Sequence, residues 1–269
     1  VQLRDSLYRL EDGVATFTMN RPERRNALSL ELRQDFVDLM AEVRGNDAVR
    51  ALVIIGAGGA FCAGGDVKSM GAGLGSAADG RARILEIHAW LQELYNLDCP
   101  TIAAVDGPAF GGGFSLALAC DFVLATPRAR FCAVFGRIGL IPDMAMLYLL
   151  PRAIGLQRAK ELMMTTRVHD AAEAQALGLV LEQHAPEALV DAAQALGARL
   201  AEGSKTAQAL TRAYAHLSLH SDYRTMMELE VVGQTVCFDT DYHREAVRRF
   251  KDKEPLRYDW EALGRAAGA

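Results

Sequence analysis

The sequence predicts an α/β fold in which strands and helices alternate, extended by an all-helical C-terminal region. Three observations carry this. Short apolar runs with strand character alternate with helix-patterned segments up to about residue 185. From Pro186 onward the strand signals stop and only helical patterning remains. Two of the strand runs, 51–55 and 101–105, each lead into a glycine-rich loop and then a helix. The chain thus makes two related turns, and their loops are expected to meet at one site.

In chain order, residues 7–10 and 14–19 flank Asp12-Gly13 and read as a β-hairpin. A polar loop from Asn20 to Leu28 follows. Ser29 is placed to cap a helix over 30–44, with Leu32, Phe36, Leu39, Met40 and Val43 as its apolar positions. After the strand at 51–55 comes the loop Gly56-Ala57-Gly58-Gly59-Ala60-Phe61-Cys62-Ala63-Gly64-Gly65-Asp66. Residues 70–80, rich in Gly, Ala and Ser, are expected to be mobile and to line part of the pocket. A helix over 81–96 puts Ile84, Ile87, His88 and Leu91 on one face. After strand 101–105 and the turn Asp106-Gly107-Pro108, the triplet Gly111-Gly112-Gly113 opens an apolar helix over 114–119. Strands at 122–125 and 129–131, a loop over 135–143, and helices at 144–153 and 157–164 come next. Asp170 is placed to cap a helix over 171–177 that Gly178 ends, before a short strand at 180–181. The tail divides into helices at about 187–202, 204–219, 221–236 and 241–251. Residues 1–195 are assigned to the α/β core with the site, and 196–269 to the helical region.

Hydrophobic residues make up 51% of the 269, which fits a globular chain. A net charge of −5 with scattered Lys and Arg argues against nucleic acid as a partner. No apolar run approaches the roughly 18 residues of a membrane-spanning helix, so no membrane association is expected. The five cysteines, Cys62, Cys99, Cys120, Cys132 and Cys237, match no metal-site spacing and read as buried thiols in a reducing compartment. With no signal-peptide pattern at the start, a cytoplasmic location is expected.

A helix start presents free backbone N–H groups and the positive end of the helix dipole, and both favour negative charge. Glycines there let a ligand oxygen approach the backbone closely. The same triplet also serves tight helix packing, and by itself it leaves both roles open.

Four motifs now resemble, in order and at matching spacing, the crotonase (enoyl-CoA hydratase/isomerase) superfamily. They are Asn20-Arg21-Pro22 with Asn26-Ala27-Leu28, Phe61-Cys62-Ala63-Gly64-Gly65-Asp66, Asp106 to Gly113 with Ala119-Cys120-Asp121, and Ala176-Leu177-Gly178-Leu179-Val180. The resemblance covers nearly the whole chain. It implies a crotonase-like spiral of ββα turns and a helical region that assembles a homotrimer or a dimer of trimers. It also implies acyl-CoA thioester substrates, with coenzyme A as part of the substrate and no separate cofactor or metal. By motif match, the backbone N–H groups of Gly65 and Gly112 form an oxyanion hole, which would hold the charge of a thioester enolate. The resemblance places Arg24, Arg25, Ala27, Ala63, Asp66 and Val67 along the CoA nucleotide. A guanidinium suits phosphate through its fork of donors, and simple exposure accounts equally for either Arg. Phe238 and Lys253 fall where a neighbouring subunit closes the pocket in relatives.

The chain departs from the hydratases at both of their acids. The two glutamates that activate water and return a proton fall at Ser115 and Phe135. A hydroxyl without an adjacent base and an aromatic ring do not perform that chemistry at neutral pH, so hydration is not expected. Ser115 reads as a helix-start hydroxyl that satisfies backbone groups. Asp143, after Gly139-Leu140-Ile141-Pro142, remains. An acid in apolar surroundings has a raised pKa and becomes a usable base. Equally, Asp143 reads as the cap of a helix starting at Met144. Residues 138–143 resemble the acyl-CoA isomerases of the superfamily, in which one carboxylate moves a proton between two carbons of the acyl chain. The same position resembles that of the nucleophilic Asp of 4-chlorobenzoyl-CoA dehalogenases, which also carry a His at the position of His88. Their ring-pocket tryptophans are replaced here by Ile87 and Phe135, and His88 also reads as an ordinary helix residue. The expectation is double-bond isomerisation by Asp143. The alternatives are displacement or hydrolysis by Asp143 with His88, and a catalytically silent CoA binder.

Overall fold

A computed structural model describes residues 2–66 and 76–267. In chain order its elements are β1 (Ser6–Glu11), β2 (Val14–Met19), α1 (Leu30–Gly45), β3 (Ala51–Gly56), α2 (Ala77–Tyr95), β4 (Thr101–Val105), β5 (Pro108–Phe110), α3 (Gly112–Ala119), β6 (Phe122–Ala125), β7 (Arg130–Cys132), α4 (Met146–Ile154), α5 (Leu156–Thr165), β8 (His169–Asp170), α6 (Ala171–Ala176), β9 (Glu182–Gln183), α7 (Leu189–Ala201), α8 (Lys205–Ser218), α9 (Tyr223–Phe238), α10 (Asp241–Asp252) and α11 (Trp260–Ala267). Short 3-10 turns stand at Pro22–Arg24 and Val134–Ile138.

The spine is a six-stranded sheet in the order β1-β2-β3-β4-β6-β9. The β1–β2 hairpin is antiparallel, and every later neighbour is parallel. A parallel sheet is covered on both faces, and the side chains alternate accordingly. Ala15, Phe17 and Met19 of β2 enter the larger apolar cluster with α1, α2 and α3. Val14, Val53, Ile102, Ala104 and Leu124 face the other way, against Leu189, Ala193 and Leu200 of α7. Phe36 of α1 lies between Phe17 at 4.9 Å and the stacked Trp90 of α2 at 4.4 Å.

A second, narrow layer makes the site possible. After β3, β4 and β6 the chain adds a short strand-like segment before the next helix. Cys62 bridges Ala109, Gly65 bridges Leu28, and β5 pairs with β7. This repeat of strand, short strand and helix is the expected spiral of ββα turns.

Several boundaries differ from the sequence expectation. α2 opens at Ala77 rather than residue 81, because Ser76 and Asp79 form a reciprocal capping box. Of the stretch expected to be mobile, residues 70–75 lie outside the described residues. The strand expected at 180–181 is β9, displaced to Glu182–Gln183, where it pairs with Leu124 and Ala125. α11 is a helix that sequence patterning missed; its Trp260 ring lies 3.7 Å from the Arg199 guanidinium. The boundary expected between 195 and 196 falls inside α7, which covers the sheet, so the helical region departs only after Ala201. Of α8, α9 and α10, only Gly233 is buried within one chain. Among the described residues, no helix is long and apolar enough to cross a membrane.

Candidate active site

The two glycine loops touch backbone to backbone. Gly64 is held at φ 91°, and a Cβ there would sit 2.7 Å from Phe110 O and 3.3 Å from Gly112 N. A Cβ on Gly113 would sit 2.1 Å from Cys62 O. The polar loop is drawn onto this junction by Asn26. Its buried side chain donates to Ala57 O and Ala60 O at 2.9 and 2.7 Å and accepts from Arg21 N at 2.8 Å. Leu28 N–H then donates to Gly64 O at 2.8 Å. In this parallel bridge the Gly65 N–H points away from Leu28. Gly112 is the first residue of α3, so its N–H has no intrahelical acceptor.

Asp143 immediately precedes a residue that packs on Gly112. Its neighbour Met144 brings Sδ to 2.8 Å, and Leu28 brings Cδ1 to 3.2 Å, from where a Cβ of Gly112 would lie. Met144 and Ala145 both take left-handed conformations, at φ 51° and 64°, to turn the chain into α4. The residue before α4 is therefore Ala145, with no side-chain cap, and the cap role considered for Asp143 is excluded. Only the backbone O of Asp143 serves the helix start, accepting from Met146 N at 3.1 Å. Burial pushes the Asp143 pKa above the ordinary carboxylate range, and positive charge at His88, Arg33 and Arg83 opposes the rise.

Ser115 is fully buried, and its Oγ donates to the Asp143 backbone O at 2.9 Å, closer than Gly111 O at 3.3 Å. The hydroxyl thus satisfies backbone groups as expected, and one of them belongs to the candidate base. Phe135 is buried beside the glycine loop, with Cζ 3.7 Å from the Cβ position of Gly111.

The structure sets Ala27, Ala63 and Gly65 on loops bonded to one another, Gly64 against Gly112, and Met144, the neighbour of Asp143, against Gly112 as well. Ala63 N–H donates to Arg25 O at 2.9 Å, which sets the exposed Arg24 and Arg25 at the loop's edge. Asp66 lies 3.9 Å from Arg21 Nη1. His88 is exposed on α2, within electrostatic reach of Asp143. Val67 lies outside the described residues. Phe238, at the end of α9, packs 5.2 Å from the His243 ring, and Lys253 follows α10; both are exposed. Burial raises the thiols of Cys62 and Cys120 to about 12 and that of Cys99 to about 11, so these are packing residues rather than nucleophiles. Sequence reasoning missed Arg33 and Arg83, the two guanidinium groups whose charge reaches Asp143. A signal for Arg33 was present: it sits three residues before Phe36 and seven before Met40, on the buried face of α1.

A family model described as enoyl-CoA hydratase/isomerase matches residues 9–261. The 1,2-epoxyphenylacetyl-CoA isomerase of Escherichia coli strain K12 is 32% identical over 254 residues, spanning 94% of this chain and 97% of that protein. The 4-chlorobenzoyl coenzyme A dehalogenase-2 of an Arthrobacter species is 37% identical over 171 residues, 63% of this chain and 62% of its own length. The crystal structure of an enoyl-CoA hydratase/isomerase from Cupriavidus metallidurans CH34 matches with a TM-score of 0.91 at 41% identity, over 96% of this chain and 97% of that one.

Proposed function

The chain belongs to the enoyl-CoA hydratase/isomerase family of the crotonase superfamily, and on that footing we propose that it moves a double bond within an acyl-CoA thioester through an enolate. The thioester oxygen sits between the N–H groups of Gly65 and Gly112. Each such donor is worth roughly 3–4 kcal/mol of barrier. Asp143 removes an α or γ proton, the electron pair moves into the enolate, and the same proton returns at the other end of the allylic system. Nothing else is consumed. Arg24, Arg25, Ala27, Ala63 and Asp66 border the path of the CoA nucleotide. The exposed apolar side chains of α9, Val231 and Val232 among them, meet further copies in a homotrimer or a dimer of trimers.

One observation carries this proposal. The carboxyl of Asp143, raised in pKa by burial, belongs to the residue next to Met144, whose Sδ lies against Gly112, where the two hydratase acids of the family pattern are replaced by Ser115 and Phe135. Displacement is the alternative, motivated by His88 being among the groups close enough to act on Asp143 through space. There Asp143 attacks the substrate carbon, a leaving group departs, and His88 activates water to hydrolyse the ester.

The test is proton exchange. A saturated acyl-CoA in D₂O is expected to gain α-deuterium with wild type and not with Asp143→Ala. Tight thioester binding without exchange would sink the enolate mechanism; a trapped covalent adduct on Asp143 would then assign displacement, and its absence a silent binder.

A further inference from the structure

Helix α1 buries two charged side chains, and they are treated very differently. Asp35 is saturated: its carboxylate accepts from Arg4 N at 2.9 Å, Asp5 N at 2.8 Å, Ser6 Oγ at 2.7 Å and Arg4 Nη1 at 3.2 Å. Arg33 is 6% exposed, yet only Nη2 is engaged, donating to Leu28 O at 3.0 Å. Among the described residues, its Nε and Nη1 are buried without a hydrogen-bond partner, and so is Nη2 of the half-buried Arg83 on α2. Buried polar groups in native proteins are nearly always paired, so donors left open mark a place for an acceptor.

The location of these donors is informative. The carbonyl that holds Arg33 belongs to Leu28, whose side chain packs against Gly112. Of the charged groups around it, Arg83 repels Arg33, while Glu86, Asp143 and Asp66 attract it through space. None of these acids supplies an acceptor to Nε or Nη1. Exposed Arg24 and Arg25 suit a solvent-facing phosphate, whereas Arg33 is buried between the Leu28 carbonyl and the charges of Glu86, Asp143 and Asp66.

We propose that Arg33, assisted by Arg83, receives a carboxylate at the far end of the acyl group, so that the substrates are CoA thioesters of dicarboxylic acids. The proposal rests on the acyl-CoA assignment of the site. A carboxylate brings a negative charge and two acceptor oxygens to planar guanidinium donors, and a plain alkyl chain brings neither.

Affinities of succinyl-, glutaryl- and adipyl-CoA are measured against butyryl-, pentanoyl- and hexanoyl-CoA, for wild type and Arg33→Met. At the fitting chain length, wild type is expected to bind the dicarboxylic thioester about tenfold to hundredfold more tightly than its equal-length partner. Arg33→Met is expected to erase that ratio and to keep its affinity for the monocarboxylic series. Equal affinities at every length in wild type overturn the proposal whether or not the variant folds, and so does a ratio that survives in Arg33→Met. Exchange of α-deuterium on the same thioesters reads the enolate chemistry separately. Exchange without a carboxylate preference removes only the role of Arg33; a preference without exchange removes only the enolate.

Discussion

The glycine side of the site and the Asp143 side differ in what holds them. Across the glycine loops, backbone meets backbone, and Gly64 and Gly113 leave no room for a Cβ. The Asp143 side is made of side chains from α1, α2, α3 and the loop before α4. It is fixed by few bonds, among them the one from Ser115 to Asp143 O, and by two left-handed residues. The first side is over-determined and suits a function that does not change with substrate, the holding of an oxyanion. The second carries Ser115 and Phe135 where the family resemblance expects two acids, and under the proposed function it is the side that sets reaction and substrate.

The strongest way to break this contrast is Gly113→Ala. Its Cβ meets the Cys62 backbone, which cannot move aside as a side-chain tip does, and the expected cost is about 3 kcal/mol or more. Urea unfolding checks it, and wild-type stability would show that the glycine side is not over-determined.

On the other side, Asp143→Asn is expected to lower α-proton exchange by about 10²–10⁴-fold while leaving the fold intact. The pKa of Asp143 is raised in the folded state. The fold therefore bears the cost of the partly buried carboxylate at neutral pH, and that cost disappears as pH falls below the ordinary Asp value of about 3.9. Asp143→Asn should accordingly be somewhat more stable than wild type at neutral pH and no more stable in strong acid, as thermal unfolding at the two pH values would reveal.

Ser115→Ala removes a neutral hydrogen bond to the backbone of the base, worth about 1 kcal/mol, so exchange should slow by roughly fivefold. An unchanged rate would reduce Ser115 to packing. The pH–rate profile gives a finer measure. Because Arg33 holds the Asp143 pKa down, Arg33→Met should move the acid limb of exchange to higher pH. A limb that stays in place would mean that the two charges do not interact. His88 is exposed, yet it stands first among the charges that lower the Asp143 pKa, so His88→Ala should move the acid limb in the same direction as Arg33→Met, with a small effect on the rate itself. In His88→Ala, exchange should change by less than about threefold, within the range of a screened surface charge. A much larger loss would move the assignment toward displacement.

Local chemistry was legible where partners lie within one turn of chain. Ser29 accepts from Leu32 N at 3.0 Å and Asp170 from Glu173 N at 2.9 Å, both as the cap patterns require. Asp143 has a similar pattern but does not cap. The side chain that precedes α4 is set by two left-handed residues, and nothing in Met144-Ala145 announces them. α11 escaped notice although Asp259 caps it locally, accepting from Ala262 N at 2.8 Å; a tertiary bond adds to this, Arg199 Nη2 donating to Trp260 O at 2.9 Å.

By itself the sequence determined the order of strands, glycine loops and helices, and with it the family, because the missing Cβ of glycine, the caps and the apolar period all act over a few residues. It also showed Ser115 and Phe135 at the positions where the family resemblance expects the two hydratase acids. Only the tertiary structure decided what Asp143, Ser115 and Arg33 are. The acceptor of Ser115 lies 28 positions along the chain. The acidity of Asp143 depends on burial and on charges brought from α1 and α2. The open donors of Arg33 are defined by partners that do not arrive. Desolvation and hydrogen-bond satisfaction are properties of the space around a group, and that space is assembled from chain segments distant in sequence.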